Sequence, residues 1–484
     1  MRSQLRKPAY RATGSWRWAW RTFLGILVVA VAGCSGGGSP APGGPGGSTT
    51  SRSGPKTLTI ALPIDPISLA GGITGSGAAV VPSRYFKEFP NAYLTTYTQK
   101  DEPAAWLATD LPSLDDGTWK VLSDGRMEVT WKIYPGVKWQ DGADLTSDDI
   151  VFSWEIQRDP ATQIGLQGIA RYVQSIATPD PYTAVFTWAS ASQLGSVATV
   201  REFDILPRHV LEGADRGGLV DNPYFVDPAA FVGSGPYRPT AWDRGRSISL
   251  EAFDQYFLSR PHIDRVTFET IADYQAALVN VLAGQVDVGY WAVSFEGARI
   301  IQQEWAKTDG GSVDWQANNA RHFLPQLRPD SASPRDLTDV RVRKALMYAM
   351  DRAELAETAA TGAALVVNST TYPDSVLGQL VEQRAVRYEY DPARAAAVLA
   401  EVGWQKGTDG FLTKGGERFQ LSYRVASNNS SDWNLIFPVL QQQYRRTGIE
   451  LIGTPGSSGD QQADALFPGL VPTALPDNQT GFLA

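Results

Sequence analysis

The sequence predicts an α/β protein, and two patterns carry that expectation. Segments whose apolar residues alternate with period two recur along the chain, and between them lie segments with apolar residues at helical spacing, opened by capping residues and closed by glycine. The composition, 43% hydrophobic and 19% charged, is that of a globular body and not of a disordered or membrane chain. About 430 residues follow the N-terminal region, enough for two or three lobes with substantial cores.

Taken in order, the chain opens on a targeting segment. Arg2, Arg6, Lys7, Arg11, Arg17 and Arg21 give residues 1–22 six basic side chains and no acid, as expected of a segment held on the cytoplasmic side of a membrane. Phe23 to Ala32 adds ten uncharged, mostly apolar residues. A spanning helix needs about 20, so this length predicts a signal-peptide core. The small residues before Cys34, the only cysteine, give a peptidase access to the backbone, and a thiol at the new N-terminus is the nucleophile that takes a diacylglyceryl group. Two plainer readings stand beside this lipoprotein signal: an uncleaved anchor, and a secretory signal next to an incidental cysteine. From Ser35 to Pro55, 17 of 21 residues are Gly, Ser or Pro, a composition that buries no apolar surface. As a flexible coil it reaches on the order of 25 Å.

Residues after Cys34 carry 37 Lys and Arg, the six N-terminal ones being removed from 43, against 51 Asp and Glu, a net charge of −14. That sign argues against nucleic acid and leaves a lipid group, in preference to basic patches, as the membrane attachment. Fifteen Trp, 18 Tyr and 18 Phe point to large aromatic cores or to exposed aromatic clefts.

The body begins with Thr57 to Leu62, an alternating, β-branched strand that ends at Pro63. Met127, Val129, Trp131 and Ile133 alternate with Glu128, Thr130 and Lys132, a strand buried on one face. Turns follow at Pro135-Gly136 and Asp141-Gly142. Thr146 then caps a helix whose first turn carries Asp148 and Asp149, placed to favour the helix dipole. Those carboxylates are read as caps and not as general acids. Further strands are expected at Thr183–Trp188, Ser247–Glu251, Val266–Thr270 and Phe419–Val425. A helix from Asp273 to Ala283, stopped by Gly284, feeds a strand at Val286–Tyr290. Another starts at Asp339, with Val342, Ala345, Leu346, Ala349 and Met350 on one face and Asp351 and Glu354 as caps of its continuation. A third has Asp391 at the N-cap, Pro392 at N1, Ala395, Val398, Leu399 and Val402 on one face, and Gly403 at its end.

Catalytic and metal signatures are absent from the sequence. His209, His262 and His322 are scattered with no HExxH pair, and there is no GxSxG elbow, no Walker A loop and no calcium-loop spacing. Gly233-Ser234-Gly235-Pro236 reads as a turn between strands, since no helix follows to complete a phosphate cradle. No cofactor and no metal is expected.

Five segments, in this order, resemble the oligopeptide and dipeptide binders among the extracytoplasmic solute-binding proteins of ABC importers. They are Trp131 to Pro160 (WKIYPGVKWQDGADLTSDDIVFSWEIQRDP), Phe231 to Phe257 with VGSGPY, Ala283 to Tyr290 (AGQVDVGY), Asp339 to Leu355 (DVRVRKALMYAMDRAEL) and Tyr390 to Trp404 (YDPARAAAVLAEVGW). Ser234 stands where threonine is usual in that family. The resemblance implies a two-lobed, periplasmic-binding-protein-like fold of the peptide-binding subclass. Residues 1–34 are then the signal, 35–55 the tether, 56–90 with 227–318 the first lobe, 91–226 an inserted subdomain and 319–484 the second lobe. The family's chain continues past the second lobe and returns to the first, so with Ala484 as its last residue this sequence is expected to lack the return segment.

The same resemblance implies a monomer that holds solute between closing lobes, without covalent chemistry, and hands it to a permease and its ATPases. It places Asp65, Ile67 and Ser68 after the first strand at the cleft, with Trp291 where the peptide binders commonly have a polar amide, and Phe323 to Gln326 as a further wall. Thr473 falls where the family's carboxylate pairs with the ligand amine, and Asp477 is the nearest acid. Each has a plainer role available: Trp291 in a core, Asp65 capping a turn, Asp477 in a loop. The leading expectation is a lipid-anchored receptor for peptides or similar solutes on the extracytoplasmic face of the cell membrane. A lipid-anchored secreted hydrolase, and a surface receptor that does not transport, are the alternatives.

Overall fold

The structure is a computed structural model and describes residues 54–476 other than 71–85, 99–101, 163, 165–167, 201, 291, 309, 316–318, 361–363, 370–375, 427–431 and 457–466. Cys34, Trp291 and Asp477 lie outside the described residues.

Three larger sheets organise the chain. The first holds, in spatial order, Val288–Gly289, Thr57–Leu62, Arg265–Thr270, Ser247–Ala252 and Tyr237–Asp243. The first three strands are parallel and the other two are antiparallel to their neighbours. Thr57–Leu62 has a partner on each side, and its alternation sends residues to both faces. Ile60 and Leu62 enter one core with Phe86, Phe225 and Phe268, while Ala61 enters a second with Leu278, Val281 and Ile301. The strand expected over Val286–Tyr290 is shorter than its sequence pattern, with only Val288 and Gly289 in the strand. Next to it the Asp287 carboxylate accepts the Thr59 backbone N–H (2.8 Å), taking the place of a ladder carbonyl. At the amino end of Thr57–Leu62, the Asp264 carboxylate accepts the Lys56 backbone N–H (2.7 Å) and an Arg260 N–H (2.7 Å).

A second sheet, Trp119–Val121, Met127–Lys132, Thr183–Trp188 and Val173–Asp180, is antiparallel throughout. Met127, Val129 and Trp131 point into its core while Glu128, Thr130 and Lys132 stay outside it. Trp131, Trp139 and Trp188 are fully buried, so much of the aromatic surplus is core. The helix Ser147–Arg158 opens on a capping box between Thr146 and Asp149. Burial pushes the Asp149 carboxyl above its usual range, against the opposing pull of N–H donors from Thr146, Arg208 and Trp139. The capping role expected from the sequence is the role found.

Gln140 joins the two sheets. Its side-chain amide donates to the carbonyls of Gly235 (3.1 Å) and Tyr237 (2.9 Å), and its side-chain oxygen accepts the Gly233 N–H (3.3 Å). Its backbone N–H donates to the Gly233 carbonyl (2.8 Å). A Cβ on Gly235 would lie 2.4 Å from the Asn91 nitrogen, so the Gly-Ser-Gly-Pro turn is glycine-rich because other backbone crosses it. It cradles no phosphate.

The third sheet has the order Asn319–Pro325, Leu470–Pro476, Gln420–Ala426 and Glu450–Gly456, with only the first strand antiparallel. Its core gathers Leu346, Leu399, Tyr423, Tyr444 and Leu451. Asp339 caps the helix Val340–Tyr348, accepting the Arg341 N–H at 2.8 Å. Asp351 opens the next helix, Arg352–Ala360, by accepting the N–H groups of Ala353 and Glu354, both at 3.1 Å. Glu354 is no cap; it accepts from Gln443 Nε2 (2.7 Å) and so ties this helix to Asp432–Thr447. Asp391 and Pro392 open Pro392–Glu401, and Gly403 follows it at φ +92°.

Candidate ligand cleft

Open parallel sheets bind ligands beyond the carboxyl ends of their strands, where connecting loops diverge and leave a crevice. In the first sheet those ends are Leu62, Thr270 and Gly289. Their exits are tied together: the Ile271 N–H donates to the Leu62 carbonyl (2.8 Å) and the Tyr290 N–H to the Ala61 carbonyl (3.2 Å). The hairpin tip at Asp243–Ser247 reaches the same edge, because Ser247 pairs with Glu269 and the Thr270 N–H donates to the Arg246 carbonyl (2.8 Å).

The chain passes from the first sheet to the third beside this edge. Phe295 begins the helix that follows Gly289, and Trp315, shortly before the third sheet, stacks on it with ring centres 6.0 Å apart and planes 8° apart. Asn319 then enters the third sheet opposite Pro476, at the carboxyl end of that sheet's parallel strands. The carboxyl edges of the two sheets therefore flank one short crossing, the position that makes them the candidate walls of a cleft.

On the first sheet's edge, Asp65 follows Leu62 between Pro63 and Pro66 and is half-buried. Its Oδ1 accepts the Trp242 indole N–H (3.1 Å) and, at the limit of a hydrogen bond, the Thr270 hydroxyl (3.5 Å). Trp242 faces Ile248 across the hairpin and rests on the core. Its ring carries the Arg244 guanidinium, whose carbon stands 3.4 Å from the ring centre. Neither Trp242 nor Arg244 was singled out from the sequence; the signal available was an aromatic two residues before the Arg244-Gly245 turn. Ile67 is half-buried. Ser68 is fully buried, its hydroxyl donating to the Phe225 carbonyl (3.2 Å) and accepting the Ala70 N–H (3.2 Å). Of these three only Asp65 shares the edge with Trp242 and Arg244 through a described side-chain bond.

On the third sheet Phe323 is half-buried, its ring packed edge-on to Tyr423 with centres 5.9 Å apart. Gln326 is buried and fastens the ends of two strands: its side-chain amide donates to the Phe467 carbonyl (2.9 Å) and its backbone N–H to the Gly469 carbonyl (3.0 Å). The buried Arg424 guanidinium lies 5.6 Å from the Phe467 ring centre. Phe323 and Gln326 are thus grouped around one end of this sheet, separate from the Asp65 group. Trp291 and Asp477 fall on residues whose placement is outside those described, as does the side chain of Thr473.

No group of three or more His, Cys, Asp or Glu placed to hold a metal occurs among the described residues. His209 is exposed at its edge and joined to Asp141 (2.7 Å). The Asp141 carboxyl, which burial alone would raise, lies below its usual range because of that contact and the Ala143 N–H.

Sequence and structure comparisons place these features in a known group. The profile of the bacterial extracellular solute-binding proteins, family 5, middle region, matches residues 102–468. The chain is 26% identical over 342 residues to the oligopeptide-binding protein AppA of Bacillus subtilis, an alignment covering 68% of this chain and 58% of the relative. The solved structure of AppA with a nonapeptide superposes with a TM-score of 0.63 at 22% identity, covering 87% of this chain and 80% of the other. NikA of Brucella suis, solved with Fe(III)-EDTA, superposes with a TM-score of 0.69 at 18% identity over 87% and 79% of the two chains. The chain spans little more than half the length of several curated relatives it matches.

Proposed function

This chain belongs to the bacterial extracellular solute-binding proteins of family 5, and we propose that it captures peptides or similar solutes outside the membrane and delivers them to an ABC importer. The observation that carries the reading is the family match over residues 102–468, joined to two sheets whose carboxyl edges flank a single crossing. A hinge at that crossing closes one wall over the other in the manner of two-lobed binding proteins. AppA is an oligopeptide-binding protein by name, which supports a peptide here. NikA was solved with a metal chelate, which widens the class to compact charged solutes.

Attachment is proposed through Cys34. The basic N-terminal segment, the ten-residue apolar core and the Gly/Ser/Pro run after the cysteine support a lipid anchor with a flexible tether. The protein then works as a monomer within reach of its permease and ATPase partners.

Native mass spectrometry of the full-length protein, purified gently, tests the central reading. A homogeneous bound mass, released chemically unchanged, is the expected result. Turnover of that mass into fragments would replace the receptor with a hydrolase.

A further inference from the structure

Arg238 and Arg244 are placed unlike Arg246, Arg260 and Arg265: Arg238 lies over the Phe253 ring and donates to the Gln140 carbonyl, which leaves Arg244 as the one held by an aromatic face alone among the described contacts. Arg246 pairs with Asp243 (3.4 Å), Arg260 with Asp254 and Asp264 (both 2.7 Å), and Arg265 with Glu251 (3.2 Å). The guanidinium of Arg244 has no carboxylate within salt-bridge distance among the described residues, and its described contact is the face of Trp242. That indole cannot turn away, since Asp65 takes its N–H and the hairpin tip is pinned to Thr270. The ring covers one guanidinium face, and because Arg244 is exposed its N–H groups, which can grip a carboxylate with two parallel bonds, remain open to solvent. The residue stands on the edge identified above as a candidate wall of the cleft. The exported chain carries a net charge of −14, so an unpaired cation at this edge offsets the repulsion an anionic ligand meets on approach.

We propose that Arg244, held flat on Trp242, receives a carboxylate of the bound solute and makes the protein selective for ligands that carry one. This deepens the peptide reading and rests on it. The carboxylate belongs either to the C-terminus of a peptide or to an acidic side chain, two sources of one chemistry.

The test uses the full-length protein and a pool of short peptides of mixed sequence in three matched forms: free C-terminus with acidic side chains amidated, amidated C-terminus with acidic side chains intact, and both amidated. Retention is read by native mass spectrometry in competition. Either or both carboxylate-bearing forms should be retained about ten- to a hundredfold better than the fully amidated form, and the form retained names the source. Arg244→Gln should abolish that preference while the fully amidated pool is retained as before. Arg244→Lys, which keeps the charge without the planar fork, should recover part of it. Equal retention of all three forms by the unaltered protein overturns the role of Arg244 and leaves the peptide reading standing. Retention of none of them overturns both.

Discussion

Replacing Gln140 by Leu tests how the second sheet is held to the first. The two side chains are similar in volume, so packing is kept while all three side-chain hydrogen bonds are lost. Gln140 is buried, with 5% of its surface exposed, and water has no ready path to the groups it leaves behind. The carbonyls of Gly235 and Tyr237 each lose a donor, at 3.1 and 2.9 Å, and the Gly233 N–H loses a longer partner at 3.3 Å. An orphaned buried group costs about 1–3 kcal/mol. The Ala252 N–H is taken by the Asp264 carbonyl and gives the Tyr237 carbonyl no second donor; only the long Gly233 bond falls at the low end, and the sum is roughly 3–6 kcal/mol. Urea unfolding of the full-length protein should show that loss in tryptophan fluorescence, since Trp131, Trp139 and Trp188 lie in the adjoining core. Hydrogen exchange should quicken at the amides of Gly233, Gly235 and Tyr237. A loss below about 1 kcal/mol with unchanged exchange would refute the argument that Gln140 fastens this joint.

Other outcomes follow from single groups. Hydrogen bonds from the Arg341 guanidinium and backbone hold the Asp339 carboxyl down to about 2. Its contribution is therefore complete above the ordinary carboxyl range and lost as pH falls through about 2, so Asp339→Asn should be the less stable protein at pH 7, with the gap closing between about pH 4 and pH 2; a gap independent of pH would sink this. Trp242→Phe keeps the ring and removes the N–H from Asp65, and is expected to lower stability by about 1 kcal/mol and to weaken ligand retention in native mass spectrometry. Unchanged values in both assays would separate Asp65 from the cleft wall. Cys34→Ala should move the protein from the membrane to the soluble fraction, and continued membrane association with an intact N-terminus would establish an uncleaved anchor instead.

Local features with a local cause were legible in the sequence. Asp391-Pro392 and Gly403 bracket a helix because the cap, the fixed φ of proline and a positive-φ stop act within one turn of chain. The alternation of Met127 to Lys132 gave that strand's inward face for the same reason. Val286–Tyr290 reads as a longer strand than it is because a side chain, Asp287, replaces part of the ladder, and no propensity encodes that substitution. The family resemblance singled out Asp65 through its position after the first strand, and the structure shows its carboxylate bonded to Trp242. Trp242 and Arg244 were out of reach, because their relation to Asp65 spans 177 residues and exists only once the hairpin is laid against the central strand. Ser68, three residues after Asp65, turns inward to Phe225, a contact set by packing and not by pattern.

The grip of Asp264 on the Lys56 backbone gives the molecule a mechanical axis. The six residues of Thr57–Leu62 span roughly 20 Å, with Pro55 shortly before one end and Asp65 shortly after the other. A pull on the chain before Thr57 would run along the strand, parallel to both of its partners. Hydrogen bonds to Arg265–Thr270 and Val288–Gly289 would then be sheared together and not peeled one after another. The strand that carries Asp65 at its exit is thus also the one that would bear a load applied to the chain before it.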